Sequence, residues 1–322
     1  MRLTLFARAL LTHPVTGCTL LGAGVLSLAM VPLVHLYVLP RVELVPFAAD
    51  ATSISTGQGT YFDANSLSLK GPVTMTVTTH VVGDVAAGQH SGDAVWNVST
   101  TVDTPDTLKL HDPRFSLDWT LEKWVGDRRT DLPVHCCGES PVFDGDVYLK
   151  FPFGVPDTEY HMWDPKARHA FPIHRTGVTI VDGHRLYRFD GVVPPVRIGS
   201  VQVPGKLVGQ PDVPGLIQVD EYYSDSDSEI LVDPMSGIPV GGSQSPKTTF
   251  RLPGSATDQL TVLAATFTSE PTSEQTVLSV VDSTDSQLRM VQQTLPLMAL
   301  LGGSALAALG ASLLFWSWRV TT

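Results

Sequence analysis

The sequence predicts a mainly β protein: a large antiparallel curved sheet, sandwich or barrel-like ectodomain, flanked by N- and C-terminal transmembrane α-helices. Three observations carry this reading. Charge is missing from both ends: only 16% of the 322 residues are charged, against about 25% in a typical soluble chain, and no Asp or Glu precedes Glu43 or follows Asp285. Two apolar stretches of membrane length lie in those acid-free ends. Between them, apolar side chains recur with a period of two among frequent Gly and Pro, with no sustained helical period before residue 270.

Taken in order, residues 1–14 form a short cytoplasmic N-terminus carrying Arg2 and Arg8. Residues 15–39 contain no ionisable group except Cys18, His35 and Tyr37; at about 1.5 Å per residue they exceed the ~30 Å hydrocarbon core. Pro32 reads as a kink. The run is too long for the h-region of a cleaved signal peptide and lacks an Ala-x-Ala site, so an anchor is expected. Val15-Thr-Gly-Cys18 has the look of a lipoprotein box, but most of the apolar run follows the cysteine. Residues 296–318 carry no charge at all, and Phe315, Trp316 and Trp318 fit an interfacial belt. Gly302, Gly303, Ala307 and Gly310 are small enough to admit another helix. Arg2 and Arg8 against Arg41 orient the N-terminus inside. The expectation is a two-pass plasma (inner) membrane protein, with residues 41–290 extracytoplasmic and 319–322 returning to the cytoplasm.

Within 41–290, Val73-Met75-Val77, Trp96-Val98-Thr100-Val102 and Phe115-Leu117-Trp119-Leu121 alternate as strands buried on one side do. Asp182-Gly183, between 178–181 and 184–189, predicts a type I′ hairpin. Asp233-Pro-Met-Ser-Gly237 predicts a turn between strand-like 229–232 and 238–240. Gly57-Gln-Gly59 reads as a turn leading into a strand, and 205–215 and 241–247 as loops. After a last strand at 260–268, Pro271-Thr272-x-x-Gln275 opens a helix over about 272–293 that carries Val277, Leu278, Val281, Leu288 and Val291. One domain is expected here. Without Arg2, Arg8 and Arg319, 18 basic residues face 32 acidic ones, a balance of −14, which argues against a nucleic-acid partner.

Catalytic patterns are scarce. There is no His-Glu-x-x-His, no Gly-x-Ser-x-Gly and no phosphate-cradling loop, so no catalytic residue, cofactor or metal ligand is assigned and the chain is read as a non-enzyme. Cys136 and Cys137 are adjacent; an intrachain disulfide is the vicinal one or none, with buried thiols or metal or redox chemistry beside His135 as the alternatives. His161, His169 and His174 have no metal-site spacing. Asp84, Asp103, Asp146 and Asp164 are the candidates for an acid–base pair, which only spatial proximity would establish, and most of them read as turn residues. The densest aromatic feature is Tyr148, Phe151, Phe153, Tyr160, Trp163 and Phe171, which either lines a lipid-contacting cavity or builds a β core.

In order and spacing, several segments resemble an actinobacterial family of two-pass membrane proteins described as porin PorA-like and as a domain of unknown function. They are Gly57-Gln-Gly-Thr-Tyr-Phe-Asp63, Gly83-Asp-Val, Asp93-Ala-Val-Trp96, Thr101-Val-Asp-Thr104, Cys136-Cys137, Tyr148-Leu-Lys-Phe-Pro-Phe153, Glu159-Tyr-His-Met-Trp-Asp-Pro165 and Val232-Asp-Pro-Met-Ser-Gly237. The resemblance covers nearly the whole chain. It implies an inner-membrane protein whose domain faces the periplasm-like space of a mycolic-acid envelope. One mycobacterial member, a polar growth factor, is linked to trehalose monomycolate trafficking and its exporter. Because the membrane-length segments here are helical, a helix-anchored ectodomain is expected rather than a lipid-facing barrel.

The expected function is therefore an extracytoplasmic envelope protein that binds or relays an envelope (glyco)lipid beside an RND-type lipid exporter. The alternative is a non-catalytic scaffold recruiting wall-synthesis proteins, and the least favoured reading is an envelope hydrolase or transferase.

Overall fold

The computed structural model describes residues 14–321; Arg2 and Arg8, and with them the predicted cytoplasmic N-terminus, lie outside the described residues. The chain divides into two compact units, one made of the residues up to Leu44 and from Ser283 onward, the other of Val45–Asp282.

The first unit is helical. Helix α1 spans Pro14–Leu33 and contains Pro32. A proline has no N–H for the helical ladder, and the chain passes into a π-turn at Val34–Val38 before a last helical turn at Leu39–Val42. Val15–Val42 and Pro271–Arg319 are both long and apolar enough to cross a membrane. The latter run comprises α3 (Pro271–Arg289), a π-turn at Met290–Thr294, and α4 (Leu295–Thr321). Glycines set how closely α1 and α4 approach: a Cβ on Gly24 would lie 2.5 Å from the backbone nitrogen of Ala307, and one on Gly310 would lie 2.4 Å from that of Leu21. Gly303, Ala307 and Gly310 thus pack on the chain's own first span, whereas a Cβ on Gly302 would meet nothing within 4 Å. Near one end of the pair, Gln292 Nε2 donates to Glu43 Oε1 at 3.0 Å, and the Arg41 guanidinium sits 3.6 Å over the Tyr37 ring.

The second unit is a single antiparallel sheet of eleven strands: β1 Asp50–Asp63, β2 Ser68–Gly83, β3 Ala94–Asp103, β4 Asp118–Gly126, β5 Tyr160–Asp164, β6 His169–Val181, β7 His184–Pro204, β8 Leu216–Val232, β9 Pro239–Gln244, β10 Pro246–Arg251 and β11 Leu260–Ser269. Its order is β4-β3-β2-β1-β11-β10-β8-β7-β6-β5, with β9 continuing the line of β10 between β11 and β8. A short helix α2, Val85–Ser91, follows β2 and is capped by the Asp84 carboxylate on Ala87 N. The predicted hairpin is present, with positive φ at Asp182 (47°) and Gly183 (85°). So is the Asp233–Gly237 turn, where the Asp233 carboxylate accepts from the backbone of Met235 and Ser236 and Gly237 has φ 74°. The predicted helix begins at Pro271, and Leu278 and Val281 on it pack against Leu186, Leu231 and Val240.

Three local expectations are overturned. Gly57 and Gly59 form no turn but lie inside β1, because a Cβ there would fall 1.8 Å from Thr266 O and 2.5 Å from Ala265 Cβ on β11; the glycines allow strand contact rather than chain reversal. Residues 241–247 are not a loop but the end of β9 and the start of β10, broken at Ser245. In the Phe115–Leu121 alternation, Phe115 belongs to a 3-10 turn, and on β4 Trp119 and Leu121 are exposed while Glu122 and Trp124 point inward.

The sheet's two edges, β4 and β5, approach across a seam. Residues between them pad it: Pro133 and Ser140 pair with Gly126 and Lys123 on β4, and Val147 pairs with Met162 on β5.

Candidate functional site

The seam brings a buried carboxylate together with two aromatic donors. Glu122, an inward residue of β4, is buried. Its carboxylate accepts the Tyr148 hydroxyl at 2.5 Å and the Trp163 indole N–H at 3.0 Å. Burial raises the Glu122 carboxyl above its ordinary range, the Tyr148 and Trp163 bonds oppose this, and the nearby charge of Asp164 adds to it. Burial and the Glu122 charge push the Tyr148 phenol well up. Asp164, at the end of β5, accepts from the backbone of Lys166 and Ala167 and from the Tyr223 hydroxyl of β8. Burial raises it too, against those three bonds. Lys166 Nζ crosses to the Asp118 carboxylate on β4 at 2.7 and 2.8 Å. These carboxylates are turned toward protein donors, so the arrangement latches two strand edges.

The six aromatic residues singled out by sequence fall into three packed clusters. Phe151 and Tyr160 pack with Phe189, Ile230 and Val232, with ring centroids of 4.8 Å for Phe151–Phe189 and 5.3 Å for Phe151–Tyr160. Trp163, Tyr148 and Phe153 join Trp96, Trp124 and Phe143. Phe171 packs with Val193 and Tyr223. Beside them Lys150 Nζ donates to Phe151 O at 2.7 Å and lies 3.6 Å over the Phe153 ring. Its neighbour Asp131 is buried, and burial holds that carboxyl well above its ordinary value against the attraction of Lys150.

Cys136 and Cys137 form a vicinal disulfide, with Cα atoms 3.8 Å apart. With Asp93 they are the one trio of metal-type side chains whose ligand atoms converge among the described residues, and the disulfide occupies both sulfurs. The histidines pair with separate carboxylates: His161 Nδ1 with Asp146 at 3.1 Å and His169 Nδ1 with Asp144 at 2.5 Å. His161 and His174 share Glu159 only at 3.9 Å. Asp84 caps its own helix through Ala87 N, as a turn residue does, and Asp103 accepts the Thr107 hydroxyl; Asp146 instead accepts from the backbone N–H of His161 on β5, fifteen residues away.

Two surface features escaped the sequence reading. Where β9 breaks into β10, an open groove of about 430 Å³ is lined by Gln58, Thr60, Ser226, Ser245, Lys247 and Thr266 among others. At the start of β4, Phe115, Trp119 and Leu121 are 58%, 50% and 67% exposed. Alternation alone assigns those side chains to a core; the sheet instead turns the even-numbered face of β4, with Glu122 and Trp124, inward and leaves Trp119 and Leu121 on the other face.

A family model described as Porin PorA matches residues 16–312. No curated protein matches the chain.

Proposed function

The chain belongs to the Porin PorA family, and from that premise, together with its two membrane-length helices, we propose that it is a membrane-anchored envelope scaffold: a two-pass protein whose extracytoplasmic β domain docks partner proteins at the outer surface of the plasma membrane. The observation that carries this reading is the exposure of Trp119 and Leu121, neighbours on one face of β4, with Phe115 also exposed in the turn before the strand, since exposed apolar surface marks interaction sites. The six aromatic residues that a lipid cavity would need are packed into three separate clusters of the β unit, which favours docking over carriage of an acyl chain.

A second reading is supported by the groove at the β9–β10 break. Its lining sets hydroxyl and amide groups and Lys247 among Pro72, Pro246, Ala264 and Ala265, which offers contacts to both the polar and the apolar parts of a lipid headgroup region, and its volume lies within the range of ligand sites. In this reading the domain holds an envelope lipid by its headgroup for relay.

The test compares the full chain with a Trp119→Asp/Leu121→Asp variant in solubilised membranes, by native gel and native mass spectrometry. The scaffold reading expects a larger assembly in the wild type, lost in the variant at unchanged melting temperature. An unchanged assembly would sink it. A stoichiometric lipid that is retained by the wild type and lost on Ser245→Tyr, which fills the groove, would establish the second reading instead.

A further inference from the structure

Resting on the scaffold reading, the backbone of β4 indicates how a partner is held. Lys123 exchanges both of its hydrogen bonds with Ser140, at 2.8 and 3.0 Å, and Val125 O accepts from Val134 N at 2.9 Å. The odd-numbered residues of β4 therefore turn their backbone groups away from β3, and the alternation of an antiparallel ladder extends this to Leu121 and Trp119. Trp119 N–H is taken by Asp118 Oδ1 at 3.0 Å. The N–H and C=O of Leu121 and the C=O of Trp119 have no protein partner among the described residues, because the pairing of segment 133–140 with β4 ends at Ser140. The same two residues expose large apolar side chains. β4 carries two features that guard sheet edges, Lys123 and the inward charge of Glu122, but Lys123 is already paired with Ser140 and Glu122 with Tyr148 and Trp163; the positions left open carry Trp and Leu.

We propose that the edge of β4 at Trp119–Leu121 is a strand-addition site, which takes an extended segment of another envelope protein bearing apolar residues at alternate positions. The segment continues the ladder that Pro133–Ser140 begins on the same edge. Main-chain bonds to Leu121 and Trp119 supply affinity, and alternate apolar side chains lie over Trp119, Leu121 and Phe115. A second copy is the poorer occupant: three edge residues span about 10 Å, and a stable pair of proteins buries roughly 1,200 Å² or more.

The probe is a fluorescein-labelled octapeptide of alternating Thr and Val, titrated against the full chain in nanodiscs and read by anisotropy, with a Gly-Ser octapeptide as control. Leu121→Pro removes the outward N–H together with the Leu side chain, at an edge position where proline is tolerated, and should weaken Thr-Val binding at least tenfold with an unchanged melting temperature. Should that variant unfold, Leu121→Thr with Trp119→Thr keeps the backbone and should weaken binding about fivefold. Absence of Thr-Val binding to the wild type, or equal binding by wild type and variants, overturns strand addition and leaves the scaffold reading to its own assembly test. A dimer that Leu121→Pro dissociates would assign the edge to a second copy, and overturns the partner proposed here.

Discussion

The indole of Trp163 on β5 donates a 3.0 Å hydrogen bond to Glu122 on β4, so the two outermost strands of an eleven-stranded sheet meet through side chains instead of a backbone ladder. Removing the carboxylate should open this join. Glu122→Ala leaves the Tyr148 hydroxyl and the buried Trp163 N–H without their acceptor and is expected to cost about 3 kcal/mol, measured as loss of thermal stability of the full chain in micelles.

The same residue gives the fold a pH dependence. Glu122 has its carboxyl raised by burial, so the folded state holds that proton more tightly than the unfolded chain. Its contribution is complete below about pH 4, the ordinary carboxyl value, and is lost as pH rises through the raised folded value. Melting temperature should fall over that window, and Glu122→Gln should flatten the slope. Asp131, Asp164, Asp225 and Glu274, also raised by burial, leave a residual slope. A profile identical to that of the wild type would exclude Glu122 as its source.

Asp258 acts with the opposite sign. Burial would raise it, but bonds from Lys247, Arg251 and Thr249 prevail and lower it to about 2. Its stabilisation is present above the ordinary carboxyl value and lost as pH falls through about 2. Asp258→Asn should destabilise by about 1–2 kcal/mol near neutrality, and the difference from wild type should vanish toward pH 2 in paired acid titrations followed by circular dichroism.

Gly57 tolerates no side chain. The nearest atom to an added Cβ is a backbone oxygen, Thr266 O, at 1.8 Å, and a backbone cannot swing aside as a side chain can. Gly57→Ala is expected to cost about 3 kcal/mol or more, whereas Gly177→Ala, where nothing lies within 4 Å, should cost little. Denaturant midpoints of the two variants provide the comparison.

In the spans, Gly310→Leu should separate α1 from α4, because its Cβ would meet the backbone of Leu21, while Gly302→Leu should not. Crosslinking between cysteines placed at positions 17 and 314, which meet between the same two helices, read on gels from whole membranes, should fall only in the first.

The disulfide of Cys136 and Cys137 closes no loop, since the two are adjacent. The entropy a crosslink removes from the unfolded chain grows with loop length, so the Cys136→Ser/Cys137→Ser variant should melt within about 1 kcal/mol of wild type.

Much of this was legible from local chemistry. The two spans follow from uncharged length, and the hairpin at Asp182-Gly183 and the turn at Asp233–Gly237 from residues whose backbone preferences are local. Mainly β class followed from period-two alternation, and the chain's order and spacing carried its family. Tertiary structure decided the rest. Gly57 and Gly59 resemble turn glycines until β11 is laid against them; Ser245 resembles a loop until β8 and β11 are seen to hold both halves of one broken strand. Trp119 and Leu121 resemble core until β4 is found to turn its other face, with Trp124, inward, and Glu122 resembles a solvated charge until Tyr148 and Trp163 are brought to it over 26 and 41 residues of sequence. Alternation states that a strand has two faces; which face is inside, and which carboxylate is dry, depends on partners remote in sequence, and those are settled only when the sheet curves round to its own edge.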